Sequence, residues 1–178
     1  GDTLKSRIGT PMNYLDAIKL LLPVAQALEY AHKRGVIHRD VKPSNIVFTE
    51  NGNPMLSDFG IARLVENDDV SGITASGMGI GTPEYMAPEQ WQGKAVAQSD
   101  IYSFGVILFE LITGNKPYTA DTPAAILIKQ ANEPVPSPKK FIRNLPLSVE
   151  KVILKALAKN IEDRYQTIDE LIGDLNSI

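Results

Sequence analysis

The run from Ile101 to Ile112 restricts the fold of this chain more than any other segment. A helix that crosses a bilayer needs about 20 predominantly apolar residues. This run is shorter and is interrupted by Ser103, Gly105 and Glu110. It reads as a helix buried in a protein core, and a helix that is apolar nearly all round has to be covered on every side. With 178 residues, 43% hydrophobic and 22% charged, the chain has the composition of one ordinary soluble domain with a core of that size. Disordered, collagen-like and coiled-coil architectures are excluded as readings.

The flanking segments supply the cover. Asn13 can cap a helix, with Asp16 three residues on, and Leu15, Ile18, Leu22, Ala25 and Leu28 follow at helical spacing. Pro23 should kink that helix without ending it, and Gly35 stops it. Ile46-Val47-Phe48 and Pro54-Met55-Leu56, separated by the turn-forming Glu50-Asn51-Gly52-Asn53, predict a two-stranded hairpin. Residues 61 to 81 hold few large apolar side chains and read as a long surface loop, a length that usually serves function. Helices are predicted again at roughly 99 to 113, ended by Gly114, and at 123 to 131, opened by Thr122-Pro123. Two more follow, at 149 to 158 capped by Ser148, and at 168 to 176 opened by the capping box Thr167-x-x-Glu170.

Charge and cysteine content remove several function classes. Eighteen Lys and Arg against 21 Asp and Glu give a formal charge of −3, and Lys139, Lys140 and Arg143 are the nearest approach to a basic run. Nucleic acid is therefore not expected as a partner. The absence of cysteine excludes disulfides, thiolate zinc sites and a cysteine nucleophile, while leaving the redox compartment open. The N-terminal GDTLKSRIG lacks the apolar core of a signal peptide.

The chemistry gathers around the hairpin. Asp40, Lys42 and Asn45 stand just before it and Asp58 just after it, and strands that run out and back return both ends to one edge. Two carboxylates and an amide oxygen brought together there are the hard ligands Mg²⁺ prefers when it also keeps waters and phosphates. Taken singly, each of these residues is equally a turn or cap residue.

The combination is more specific. His38-Arg39-Asp40-Val41-Lys42-Pro43-Ser44-Asn45, then Asp58-Phe59-Gly60, then Ala87-Pro88-Glu89 resembles the eukaryotic-type protein kinase family at three motifs in the right order. Ser99-Asp100-Ile101-Tyr102-Ser103-Phe104-Gly105 is similar to the start of the family's central helix, and Glu162-Asp163-Arg164-Tyr165 to its late arginine motif. The resemblance spans residues 1–178 and implies the C-terminal lobe of a kinase, mainly α-helical with a small catalytic β-hairpin, and with the N-terminal lobe absent. That smaller lobe carries the family's glycine-rich loop and phosphate-binding lysine; Gly77-x-Gly79-x-Gly81 resembles a phosphate loop only superficially and reads as flexibility.

The resemblance also implies roles. Asp40 is the catalytic aspartate, Asn45 and Asp58 hold the Mg²⁺ ions that bridge the phosphates of ATP, and Lys42 neutralises charge on the transferred γ-phosphoryl group. Thr82 bridges Asp40 and Lys42 through its hydroxyl, Val47 lies beneath the adenine, and Asp2 contacts the ribose. His38 is a packed structural residue beside Phe59, and His32 is likewise structural. Asp100 accepts backbone N–H bonds from the His38–Asp40 turn, and Glu89 pairs with Arg164. Arg39 would meet a phosphate on the activation segment, residues 58–89, where Ser71, Thr74 and Ser76 are candidate phosphosites.

Lys42-Pro43-Ser44-Asn45 and Gly81-Thr82-Pro83-Glu84-Tyr85 resemble serine/threonine rather than tyrosine kinases, and Ser44 does not support a preference for basic residues upstream of the acceptor. The expected partners are protein substrates, the N-terminal lobe and a second copy through the activation segment, with no membrane contact from this segment. A cytoplasmic location is expected, with any membrane anchor outside the chain. Two other readings are a catalytically silent scaffold, which the intact Asp40, Lys42, Asn45 and Asp58 oppose, and a small-molecule phosphotransferase, which Ala87-Pro88-Glu89 and the long loop oppose.

Overall fold

The computed structural model describes residues 2–59 and 82–178. The apolar run lies inside a helix, α2 (Ala97–Thr113), in which every residue from Ser99 to Thr113 is buried. Three helices make the cover around it. α1 (Tyr14–His32) and α4 (Leu147–Ala156) pack directly on α2, and α5 (Ile168–Asn176) packs on α1 and α4. α3 (Pro123–Asn132) lies against the 3₁₀ turns at Pro83–Tyr85 and Pro88–Gln92.

Glycine sets how closely α2 and α4 approach. A Cβ on Gly105 would lie 2.9 Å from Ala156 Cβ and 3.3 Å from Leu157 Cδ2, so no side chain fits there without a shift. Gly114 ends α2 in the left-handed region (φ +73°), where a side chain is strained, and it also meets Pro11.

The hairpin forms as expected. β1 (Ile46–Phe48) pairs antiparallel with β2 (Pro54–Leu56) in the register Ile46↔Leu56, Val47↔Met55, Phe48↔Pro54. β2 leans on α1, and an isolated bridge between Thr3 and Val47 ties the N-terminal segment to β1.

Helix boundaries depart from the sequence expectation in instructive ways. α2 starts at Ala97 instead of 99, because Ser99 acts from inside the first turn: its hydroxyl accepts the Val96 N–H at 3.1 Å and donates to Glu89. α4 starts at Leu147, and Ser148 is not its cap. Pro146, with φ −57°, is preset for that position, and its carbonyl accepts the first helical bond from Glu150. At α5 the Thr167 hydroxyl accepts from Glu170 N, but the Glu170 carboxylate reaches Gln166 N instead of Thr167 N. α1 runs through Pro23 and stops at His32, ahead of Gly35 at φ +74°. No helix among the described residues is long and apolar enough to cross a membrane.

Candidate active site

The turn from His38 to Asp40 is held from three directions. Asp100, in the first turn of α2 and only 1% exposed, accepts the His38 N–H on Oδ2 at 2.9 Å and the Arg39 N–H on Oδ1 at 2.8 Å. From the other side, Gln90 Nε2 donates to the Arg39 carbonyl at 2.9 Å. Arg39 sits at φ 72°, a left-handed conformation that costs a non-glycine residue about 1–2 kcal/mol. Clamping both faces of that residue's backbone holds it there. His38 completes the turn: Nδ1 accepts the Asp40 N–H at 3.1 Å, which leaves Nε2 to donate to the Ser57 carbonyl at 2.7 Å. That pattern selects the Nε2–H tautomer, and with both nitrogens engaged the ring is a brace between the turn and the end of β2. Phe59 packs on its edge, with centroids 4.7 Å apart.

The side chains of Asp40, Lys42 and Asn45 meet directly. Asn45, buried at the end of the 3₁₀ turn Pro43–Asn45 just before β1, uses both amide hydrogens on Asp40: Nδ2 donates to its carbonyl at 2.7 Å and to Oδ2 at 3.2 Å. Lys42 Nζ approaches the same Oδ2 at 3.1 Å. Asp40 Oδ1 and Asn45 Oδ1 are thereby left without hydrogen bonds among the described residues. Asp58 joins through Ser57, whose hydroxyl lies 3.1 Å from both the Asn45 carbonyl and Asp58 Oδ2. Asp58 is exposed and, like Arg39, left-handed at φ 61°.

Other expected members stand apart. The Thr82 hydroxyl bonds neither Asp40 nor Lys42 in this arrangement; those two residues contact each other directly instead. Val47 lies in the middle of β1, half-buried. Asp2 is engaged within its own turn, taking Ser6 Oγ on Oδ1 at 2.6 Å and Arg7 on Oδ2 at 2.5 Å. The Ser6 and Arg7 hydrogen bonds hold its carboxyl below the usual range, and a ribose hydroxyl would compete with both. Gly60, Ser71, Thr74, Ser76 and the glycines at 77, 79 and 81 lie outside the described residues.

Two buried carboxylates serve the segment from Thr82 to Gln92, Glu89 within it and Glu110 on α2 against it. Glu89 receives Arg164 Nη1 at 2.8 Å and Nη2 at 3.2 Å, together with the Ser99 hydroxyl at 2.7 Å. Burial pushes the Glu89 carboxyl up, but the Arg164 and Ser99 hydrogen bonds outweigh it and hold the group below its ordinary value. Arg164, fully buried, also donates to the carbonyls of Ala158, Gln98 and Lys159, so one side chain ties three segments together. Glu110, on α2, is raised by burial even though the Tyr85 hydroxyl donates to it at 2.5 Å.

A family model described as the protein kinase domain matches residues 2–174. The chain belongs to the protein kinase domain family. Among its relatives, a probable serine/threonine-protein kinase PknB of Corynebacterium glutamicum is 43% identical over 92% of this chain and 26% of its own length. The serine/threonine-protein kinase PknB of Mycobacterium tuberculosis is 41% identical over 98% of the chain and 28% of its own length, and a probable serine/threonine-protein kinase of Clostridium perfringens is 41% identical over 99% and 25%. The chain thus spans about a quarter of the length of these curated relatives.

Among the described residues of this kinase domain, the helical bundle with one two-stranded sheet has the make-up expected of a C-terminal lobe. Two supporting residues, and the partner of a third, escaped the sequence reading. Gln90 clamps the Arg39 carbonyl, Ser57 links Asn45 to Asp58, and His32 Nε2 lies 2.7 Å from Asp100 Oδ2. His32 closes α1, 68 residues before Asp100, and no local pattern pairs positions so far apart.

Proposed function

We propose that this lobe, joined to a lobe that covers the nucleotide, transfers the γ-phosphate of MgATP to serine and threonine hydroxyls of proteins. The observation that carries the reading is the convergence of Asn45 and Lys42 on one oxygen of Asp40, which leaves the other for the acceptor. In the step, the acceptor hydroxyl oxygen forms its bond to the γ-phosphorus as the bond to the β–γ bridging oxygen breaks, and the hydroxyl proton passes to Asp40 Oδ1. Lys42 balances the charge of Asp40 and of the transferred group. Thr82 is assigned the bridging of Asp40 and Lys42 in the substrate-bound site, Val47 the underside of the adenine, and Asp2 the ribose.

The donor set suits Mg²⁺. Asn45 Oδ1, held outward by the bonds of its own Nδ2, and the Asp58 carboxylate are hard oxygens, few enough to leave room for waters and phosphate oxygens. Mg²⁺ bound there supplies charge neutralisation at the nucleotide phosphates.

Cytoplasmic action follows the same reading, as does a dimer through the activation segment; the phosphosite assignments at Ser71, Thr74 and Ser76 remain part of the proposal. Without the covering lobe, the 178-residue chain is expected to show negligible phosphotransfer. The test is a phosphotransfer assay of the lobe in its complete protein, with protein and small-molecule acceptors offered side by side. Mg²⁺-dependent labelling of serine or threonine in protein acceptors is expected, and it should vanish with a chelator. Labelling of small molecules alone would overturn the proposal.

A further inference from the structure

The positive charge of this acidic chain is unevenly placed. Residues 138–159 hold six of its 18 Lys and Arg but one of its 21 Asp and Glu, a local charge of +5 in a chain of −3. The structure gathers the first part of that stretch, residues 138–151, around the start of α4. The 3₁₀ turn Pro138–Lys140 docks on α4 through Glu150, which takes the Ser137 hydroxyl and Lys139 Nζ, the latter at 3.6 Å. This sets Lys140, Phe141 and Arg143 beside the start of α4, where Leu147 and Lys151 are one turn apart on the same side.

Three cations on this face are free to act. Lys139 is paired with Glu150, Lys159 bonds the Glu133 carbonyl, and Lys155 lies 4.2 Å over the Tyr165 ring. Lys140, Arg143 and Lys151 are exposed and have no ion-pair partner among the described residues. Beside them stand two large apolar side chains left partly in water: Phe141, 45% exposed although its ring meets the buried Phe109 edge-on at 5.9 Å, and Leu147, 55% exposed. Asp174 on α5 lines the same cavity as Lys151 and Lys155, and the Tyr165 hydroxyl donates to it at 2.7 Å.

We propose that this face is a docking surface for an anionic lipid bilayer. Exposed aromatic and leucine side chains flanked by Lys and Arg suit the bilayer interface, where the rings enter the headgroup boundary and the cations meet anionic headgroups. An acidic peptide would satisfy the cations and leave Phe141 and Leu147 in water. The rest of the chain carries −8 and is repelled by such a surface, so contact is confined to this side. The sequence expectation of no membrane contact rested on the lack of a spanning segment, which does not bear on adsorption at a surface.

The experiment is co-sedimentation of the full chain with vesicles of phosphatidylcholine alone and with about a third phosphatidylserine, at low and high salt. Binding to the anionic vesicles only, released by salt, is expected. Each cation removed should weaken it roughly fivefold, so the triple variant Lys140→Glu, Arg143→Glu, Lys151→Glu should abolish it, and Phe141→Ser should weaken it with the charge intact. A control triple on other surfaces, Lys5→Glu, Lys19→Glu, Lys94→Glu, should bind as the parent does, with melting curves showing all variants folded. Equal binding to neutral vesicles, or equal loss in both triple variants, would overturn the proposal. So would capture of poly-glutamate without vesicle binding, which would assign the face to an acidic protein partner.

Discussion

Asp40 is useful because its two oxygens have different surroundings. Asn45 and Lys42 converge on Oδ2, and Oδ1, without a hydrogen bond among the described residues, is the oxygen the proposed mechanism gives to the acceptor. The amide of Asn45 is essential to that division, since its hydrogens face Asp40 and its oxygen faces away. Asn45→Asp would set a carboxylate where Nδ2 now lies 3.2 Å from Asp40 Oδ2, two like charges at contact distance. Phosphotransfer by the complete protein is expected to fall by at least about a hundredfold, the size of effect seen when one preorganised electrostatic contact is lost. A melting temperature unchanged from the parent would show that the loss is in the site. At this scale the sequence showed that Asp40, Asn45 and Asp58 return to one edge of the hairpin, where the structure brings them together; their roles belong to the proposal. The sequence was opaque at Gln90 and His32, whose partners lie 51 and 68 residues away and whose side chains carry no pattern of their own.

The elements are tied together by buried charge. Arg164 joins the segment before α5 to Glu89 and to the carbonyl of Gln98 in α2, and its side chain is wholly buried. Removing one member of such a pair leaves an uncompensated charge and costs about 3–5 kcal/mol. Arg164→Ala should therefore lower the melting temperature by roughly 10 °C in a domain of this size. The same pair sets an acid limb. Because the Glu89 carboxyl is held below its ordinary 4.5, its contribution is present above that pH and is lost as pH falls through the depressed value. Glu89→Gln should give a flatter stability curve below about pH 4.5, measured by denaturant titration across pH, together with lower stability at neutral pH. Glu110 works in the opposite sense: raised by burial, it loses stability as it ionises with rising pH. Helix positions were legible because periodicity and caps are local, whereas two starts moved by two residues, where Ser99 acted from inside a turn and Pro146 displaced Ser148.

At the scale of the molecule, one buried helix organises everything else. α2 carries Asp100 at its start for the His38–Asp40 turn, Ser99 for Glu89, and Glu110 for Tyr85, so the core that the apolar run demands is also the frame that aligns the candidate site. The need for such a core was visible in Ile101 to Ile112 alone. The proposed docking face was not: the +5 of residues 138–159 stands in the sequence, but which of those cations are unpaired, and that Phe141 and Leu147 stay exposed, do not. The central claim is that Asp40, held by this frame, takes the proton of a protein hydroxyl during phosphoryl transfer. The most direct measurement is the single-turnover rate of the complete protein on a serine-bearing protein acceptor, with Asp40 and with Asp40→Asn, each shown by melting to be folded. The rate is expected to fall by about 10²- to 10⁴-fold, the range for loss of a positioned general base, while nucleotide affinity stays within a few fold. An Asp40→Asn protein that keeps the parent rate would contradict the account.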